Sequence, residues 1–185
     1  VFANAQTGNI VLLSQHIFAG NWADVMRYLM PVLSFMFGVA AATEIRQHFQ
    51  NIGRIHWRQI VILIEMSMLF LVGFLPGKMD LVANAFVSFS CAMQVQTFRK
   101  VDSYAFASTM CIGNIRSGME ALCAYRQSHN RQILYKAFHY FGIIILFAFG
   151  AGIGSILIPV FNLQTIWFSS FLLMVGFFLM FIQEK

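Results

Sequence analysis

Along the chain, long apolar runs alternate with short polar breaks, and five of the runs are long enough to cross a bilayer as α-helices. They cover approximately Tyr28–Ile45, Gln59–Leu75, Leu81–Phe98, Ile133–Ile158 and Leu163–Ile182. Two further segments, Val1–Ala19 and Tyr104–Tyr125, keep a helical pattern but carry polar clusters. The first holds Gln6-Thr7-Gly8-Asn9 and the second Cys111-Ile112-Gly113-Asn114. Pro76-Gly77 marks one tight connection, and Pro159 followed by Asn162 marks another. A transmembrane β-barrel would instead alternate in segments of about ten residues. The pattern predicts an all-α membrane protein.

Three short matches recur in the same order. Gly8-Asn9-Ile10 returns as Gly113-Asn114-Ile115. Phe35-x-Phe37-Gly38 with Thr43 returns as Phe147-x-Phe149-Gly150 with Ser155, and Val72-Gly73-Phe74 returns as Val175-Gly176-Phe177. The offsets, 105, 112 and 103 residues, are nearly constant (8 to 113, 35 to 147, 72 to 175). This divides the chain into a first repeat, 1–79, and a second, 80–185, which together make one transmembrane domain. In the second repeat the span Leu81–Phe98 precedes the Gly-Asn segment, and the first repeat has no counterpart to it. The expectation is a six-helix bundle of two three-helix repeats, with the first helix lying before Val1.

Charge then orients the chain. With the Arg46–Arg58 loop on the cytoplasmic side and the two Gly-Asn segments broken or re-entrant, ten of the twelve Lys and Arg residues face the cytoplasm. Only Arg27 and Lys78 face outward, and the C-terminus is cytoplasmic. Three spans per half make the repeats inverted relative to each other, the arrangement of many small transporters.

Composition sharpens this reading. Apolar residues are 59% of the chain and charged residues 10%, against about 25% charged in a soluble domain. That much apolar surface calls for the lipid bilayer as partner. The net charge of +5 is confined to loops, which argues against nucleic acid. No charged n-region precedes an apolar stretch, so no signal peptide is read at Val1. Cys91 and Cys111 lie among small apolar residues and read as buried thiols. With Cys123 they form no metal-ligand spacing, and neither do His16, His48, His56 and His129. There is no nucleotide loop, no catalytic triad and no paired carboxylates at enzymatic spacing. The expectation is a non-enzyme without metal or cofactor.

The Gly-Asn segments are the leading candidate site. Gly lets the backbone bend or approach closely, and Asn caps helix starts. A helix beginning there inside the membrane would aim free N–H groups at a polar small molecule or ion. Asn4, Gln6, Thr7, Gly8 and Asn9 would contribute from the first half. Ser108, Thr109, Gly113 and Asn114 would contribute from the second, with Gln94 and Gln96 on the preceding span. The structural alternative is that Gly and Asn only satisfy a helix break. Glu65 is the one carboxylate deep within a span. It reads either as a proton-coupling or cation-binding group, or as a structural partner for Arg116 or another helix. Arg116 and Glu120, four apart, share a helix face and pair locally, unless Arg116 meets an anionic solute. His139 reads as a hydrogen-bonded core histidine or a proton relay. Gly150-x-x-x-Gly154, with Gly152 between, and Gly38-x-x-x-Ala42 offer smooth faces for contact between the repeats, or for a homodimer. Trp22, Trp57, Trp167 and Tyr28 fall near span ends as interfacial anchors.

Three motifs carry a family likeness: Phe2-Ala3-Asn4-x-Gln6-Thr7-Gly8-Asn9, Ala92-Met93-x-x-Gln96 and Thr109-x-x-x-Gly113-Asn114. With them the whole chain resembles the YoaK-like family of small bacterial inner-membrane proteins of unknown function. The resemblance implies a six-helix, multi-pass protein whose first helix precedes the Thr-Gly-Asn motif. The second copy here reads Cys111-Ile112-Gly113-Asn114, which departs from Thr-Gly-Asn and weakens any threonine-dependent site in that half. The function these features favour is a small secondary transporter or channel for a polar solute or ion, with its site between the Gly-Asn segments near the bilayer midplane. The alternative is a non-transporting assembly or sensor protein whose cytoplasmic basic loops dock a partner.

Overall fold

The computed structural model describes residues 2–50, 56–101, 104–105 and 109–183. It is helical almost throughout, with α1 (Gln6–Phe18), α2 (Trp22–Phe49), α3 (Trp57–Val72), α4 (Asp80–Thr97), α5 (Cys111–Ser128), α6 (Arg131–Phe161) and α7 (Ile166–Gln183). The five long apolar runs become α2, α3, α4, α6 and α7, and the two polar-marked segments become α1 and α5. Two single-turn 3-10 segments, Gly77–Met79 and Asn162–Thr165, precede α4 and α7. Tyr104, Ala105, Thr109 and Met110 depart from the helix expected over Tyr104–Tyr125. Lys100–Val101 pairs antiparallel with Tyr104–Ala105 in a short ladder, and the helix starts at Cys111.

The chain forms two compact units. One comprises residues 1–97 and 160–185, the other 98–159. In the first, α4 packs between α2 and α3, α1 packs on α2, and α7 packs on α3. The α2–α4 crossing is close because Gly38 has no side chain. A Cβ there would overlap the carbonyl oxygen of Phe89 and stand 2.8 Å from the Ala92 Cβ. Gln96 Nε2 donates to Thr43 Oγ1 across the same crossing (2.9 Å), while the Thr43 hydroxyl donates to Val39 O within its own helix. The buried apolar centre is Ala42, Trp57, Val61 and Met93, with Ile45, Ile64 and Phe89 against it. A second close approach ties α7 to the end of α3. The Trp167 indole N–H donates to Phe70 O (3.0 Å), its ring lies against Phe70 and Phe74, and a Cβ at Gly73 would overlap it.

Three local signals set the turns. Gly20 (φ +73°) reverses the chain between α1 and α2, His129 (φ +50°) ends α5, and Asn162 (φ +50°) follows α6. These are left-handed conformations that Gly and Asn adopt most readily. Pro159 falls within the last turn of α6.

Gly38 forms its tight contact with α4, whereas nothing lies within 4 Å of a Cβ built at Gly150, Gly152 or Gly154 among the described residues. One packing expectation changes, at Trp57, which is not an exposed anchor. It is buried, with the Arg46 and Arg58 guanidinium carbons 5.7 and 5.4 Å from the ring centroid. An indole placed after the cap of α3 points inward, and the arginine stems cover it.

Candidate functional site

Both Gly-Asn pairs occupy the same place in their helices. α1 begins at Gln6 and α5 at Cys111, so Gly and Asn are the third and fourth residues of each. Neither Asn is an N-cap. That role falls to Ala5 and Met110, without side-chain capping bonds. Asn9 instead folds back along the preceding segment. Its Oδ1 accepts from Phe2 N (3.0 Å), and its Nδ2 donates to Phe2 O (2.6 Å) and to Gln6 Oε1 (2.9 Å). Gln6 Nε2 donates to Ala3 O (2.9 Å), which closes the loop. One amide therefore holds both backbone groups of Phe2, much as a neighbouring strand would. Gly8 lets this happen, because the Phe2 ring lies 3.0 Å from where its Cβ would stand. Asn9 is fully buried, Thr7 is exposed, and Asn4 is half-buried.

In the second unit, Asn114 is likewise buried near the start of α5, Gly113 is exposed, and Thr109 is half-buried. Ser108 lies outside the described residues. Arg116 Nε donates to Glu120 Oε1 at 2.8 Å on the exposed face of α5. This is the local i, i+4 pair read from the spacing, and exposed pairs of this kind add little stability. His139, on an exposed turn of α6, lies 2.9 Å from Tyr135 O through Nδ1.

The first unit contains a second polar group that sequence reasoning saw only in part. Glu65 on α3 is 1% exposed, and its Oε1 has no hydrogen-bond partner among the described residues. On α4, Ser88, Ser90 and Thr97 are buried with unpartnered hydroxyls, and the Gln94 Oε1 is also unpartnered. Gln59 caps α3 by accepting from His56 N, leaving its Nε2 free of partners. Gln96 points the other way, to Thr43 on α2. Ser90, Gln94 and Thr97 follow i, i+4, i+7 spacing and so form one polar stripe along an apolar helix. That periodicity was available in the sequence as a signal for these residues. Cys91, next to Ser90 on α4, and Cys111, at the head of α5, are each half-buried rather than the buried thiols expected, while Cys123 is exposed.

The fold and these groups define an all-helical protein with two Gly-Asn helix starts and a polar stripe within its helical core. The chain belongs to the family described as protein of unknown function (DUF1275), whose pattern matches residues 1–179, in keeping with the YoaK-like likeness of its motifs. No curated protein and no solved structure matches it.

Proposed function

We propose that the chain is a multi-pass membrane protein, a small secondary transporter or channel for a polar solute or ion. The observation that carries this reading is an inverted polarity. Large apolar side chains lie outside, with Leu146 73%, Ile156 72% and Phe149 68% exposed, while Glu65, Ser88, Ser90 and Thr97 are buried. Water would penalise such a surface, and a bilayer would not. Trp22–Phe49 and Arg131–Met180 are long and apolar enough to cross a membrane, and none of the most apolar window of the latter is buried.

The helix order supports two inverted repeats. A helix of 13, 28 and 16 residues in turn (α1, α2, α3) is followed after α4 by helices of 18, 31 and 18 (α5, α6, α7). Each series opens on a Gly-Asn start, as discontinuous helices do around the midplane sites of transporters. The basic loops favour a cytoplasmic C-terminus, and the family likeness favours a bacterial inner membrane. In this reading Asn9 acts by holding its helix start in place, and the exposed Thr7 beside it, rather than the buried Asn9 amide, is open to the solute.

Release of a panel of small polar solutes and ions from proteoliposomes tests the proposal. The full chain should speed release of at least one of them over protein-free liposomes. Asn9→Ala and Asn114→Ala should slow that release while the protein stays folded. Loss of fold in both variants, with no separable transport defect, would count against a site there. A second reading, a docking or sensor protein, is favoured by the two exposed guanidiniums held on Trp57. Under it, Arg46→Glu with Arg58→Glu breaks a complex and leaves solute release unchanged. Arg54, in the same loop, lies outside the described residues.

A further inference from the structure

We infer that Glu65 and Ser90 form a site for one monovalent cation, a proton or a dehydrated alkali ion, within the α3–α4 interface. The register follows from packing. Val61 and Met93 belong to one buried cluster, and α3 and α4 are neighbours joined by the short segment 73–79. Such a pair runs antiparallel. One turn forward from Val61 is Glu65, and one turn back from Met93 is Phe89–Ser90. The carboxyl thus stands level with Ser90, which is three residues before Met93 and so lies on the same side of α4. Both groups are more than nine-tenths buried, and each has an oxygen without a hydrogen-bond partner among the described residues.

Among the described residues of the first unit, no cation is placed to balance this carboxyl. On α3 the nearest charge is Arg58, about two turns away and lying on the Trp57 ring. On α4 the ionisable groups are Asp80, at its first residue, and Cys91, which is within electrostatic reach of Glu65. The segment Ile166–Gln183 of α7 contains no ionisable side chain. On α2 they are Asp24, Arg27 and Tyr28 toward one end and Glu44, Arg46 and His48 toward the other. A carboxylate buried to this degree must be neutralised, and none of these groups is placed to do it, so the charge is assigned to a bound cation. One carboxylate calls for a single positive charge, because a divalent ion would leave the site charged again. The donors are a carboxylate and a hydroxyl, hard oxygen ligands that suit a proton or Na⁺ and give no purchase to softer metals.

The site deepens the transport reading, which would use it to couple solute movement to a cation gradient. Its own test does not need flux. Full-length protein in lipid nanodiscs is treated with N,N′-dicyclohexylcarbodiimide, which modifies protonated carboxyls in apolar surroundings, and the adduct at Glu65 is followed by peptide mass spectrometry. An exchangeable site labels at mildly acidic pH and loses labelling as the pH is raised. Protection by NaCl at fixed pH assigns Na⁺ as occupant, and an unchanged profile in NaCl assigns the proton. Ser90→Ala alters the pH profile or the Na⁺ protection, and Glu65→Gln gives the blank. Should that variant not fold, the wild-type and Ser90→Ala profiles carry the test alone. Labelling that ignores both pH and NaCl, or an absence of labelling at every pH, overturns the site. A titrating Glu65 in a protein that moves no solute leaves the site standing and refutes transport. A flat profile in a protein that does move solute has the opposite meaning.

Discussion

Gly38→Ala is the most direct probe of how the helical core is held together. A Cβ at this position overlaps the Phe89 carbonyl oxygen and sits 2.8 Å from the Ala92 Cβ, where an ordinary carbon contact is about 3.5–4.0 Å. Phe89 contributes a backbone atom, so no rotamer change can relieve the overlap. The helices must separate, which loosens the Thr43–Gln96 bond and the Ala42–Met93 packing nearby. Overpacking of this kind costs about 1–3 kcal/mol. Replacing Gly by Ala also favours a helix by about 1 kcal/mol, and that gain must be removed before the overlap can be read. Gly152→Ala does this, because nothing stands within 4 Å of its built Cβ. Unfolding in mixed micelles, followed by tryptophan emission, should find Gly38→Ala less stable than Gly152→Ala by about 1–3 kcal/mol. Adding Ala92→Gly should restore part of the loss, since it removes one of the two overlaps and couples to the first change. Equal stability of Gly38→Ala and Gly152→Ala would refute a close α2–α4 crossing.

Other outcomes follow from single contacts. Asn9→Asp keeps an acceptor for Phe2 N but cannot donate to Phe2 O or Gln6, so residues 2–5 should exchange amide hydrogens faster, by an opening cost lowered about 1–3 kcal/mol. Trp167→Phe removes the bond to Phe70 O while keeping an aromatic ring, and should cost about 1 kcal/mol in the same micelle unfolding assay. Thr43→Val should cost a similar amount, about 1 kcal/mol, by leaving Gln96 Nε2 without its acceptor. Exchanging the exposed pair, Arg116→Glu with Glu120→Arg, should leave the melting temperature unchanged.

Most of the helical layout was legible because each span is a long apolar run bounded by turn residues. Pro76 and Asn162 end runs in ways that need no partner helix to decode. Helix starts at the Gly-Asn segments were harder to place. Nothing local marks Gln6 or Cys111 as the first helical residue when their caps are Ala5 and Met110. The role of Asn9 depended on the backbone of Phe2, seven residues away, a contact that no propensity encodes. Gly38 and Gly150 look alike in sequence, and only the neighbouring α4 separates the tightly packed one from the open one. Glu65 stood out in sequence as a lone carboxylate in an apolar span. Ser90 was legible only through its spacing from Gln94 and Thr97, since a lone serine in a helix does not show which way it faces.

The central claim is that apolar helix faces meet lipid while the α3–α4 stripe does not. Spin labels introduced by Leu146→Cys, Ile156→Cys and Phe171→Cys, in a background with Cys91, Cys111 and Cys123 replaced by alanine, test it by their accessibility in lipid nanodiscs. The account predicts that dissolved oxygen, which concentrates in the bilayer, relaxes all three labels and that a water-soluble nickel chelate does not. A label introduced by Thr97→Cys should be shielded from oxygen. Ready access of the nickel chelate to positions 146, 156 and 171 would contradict it.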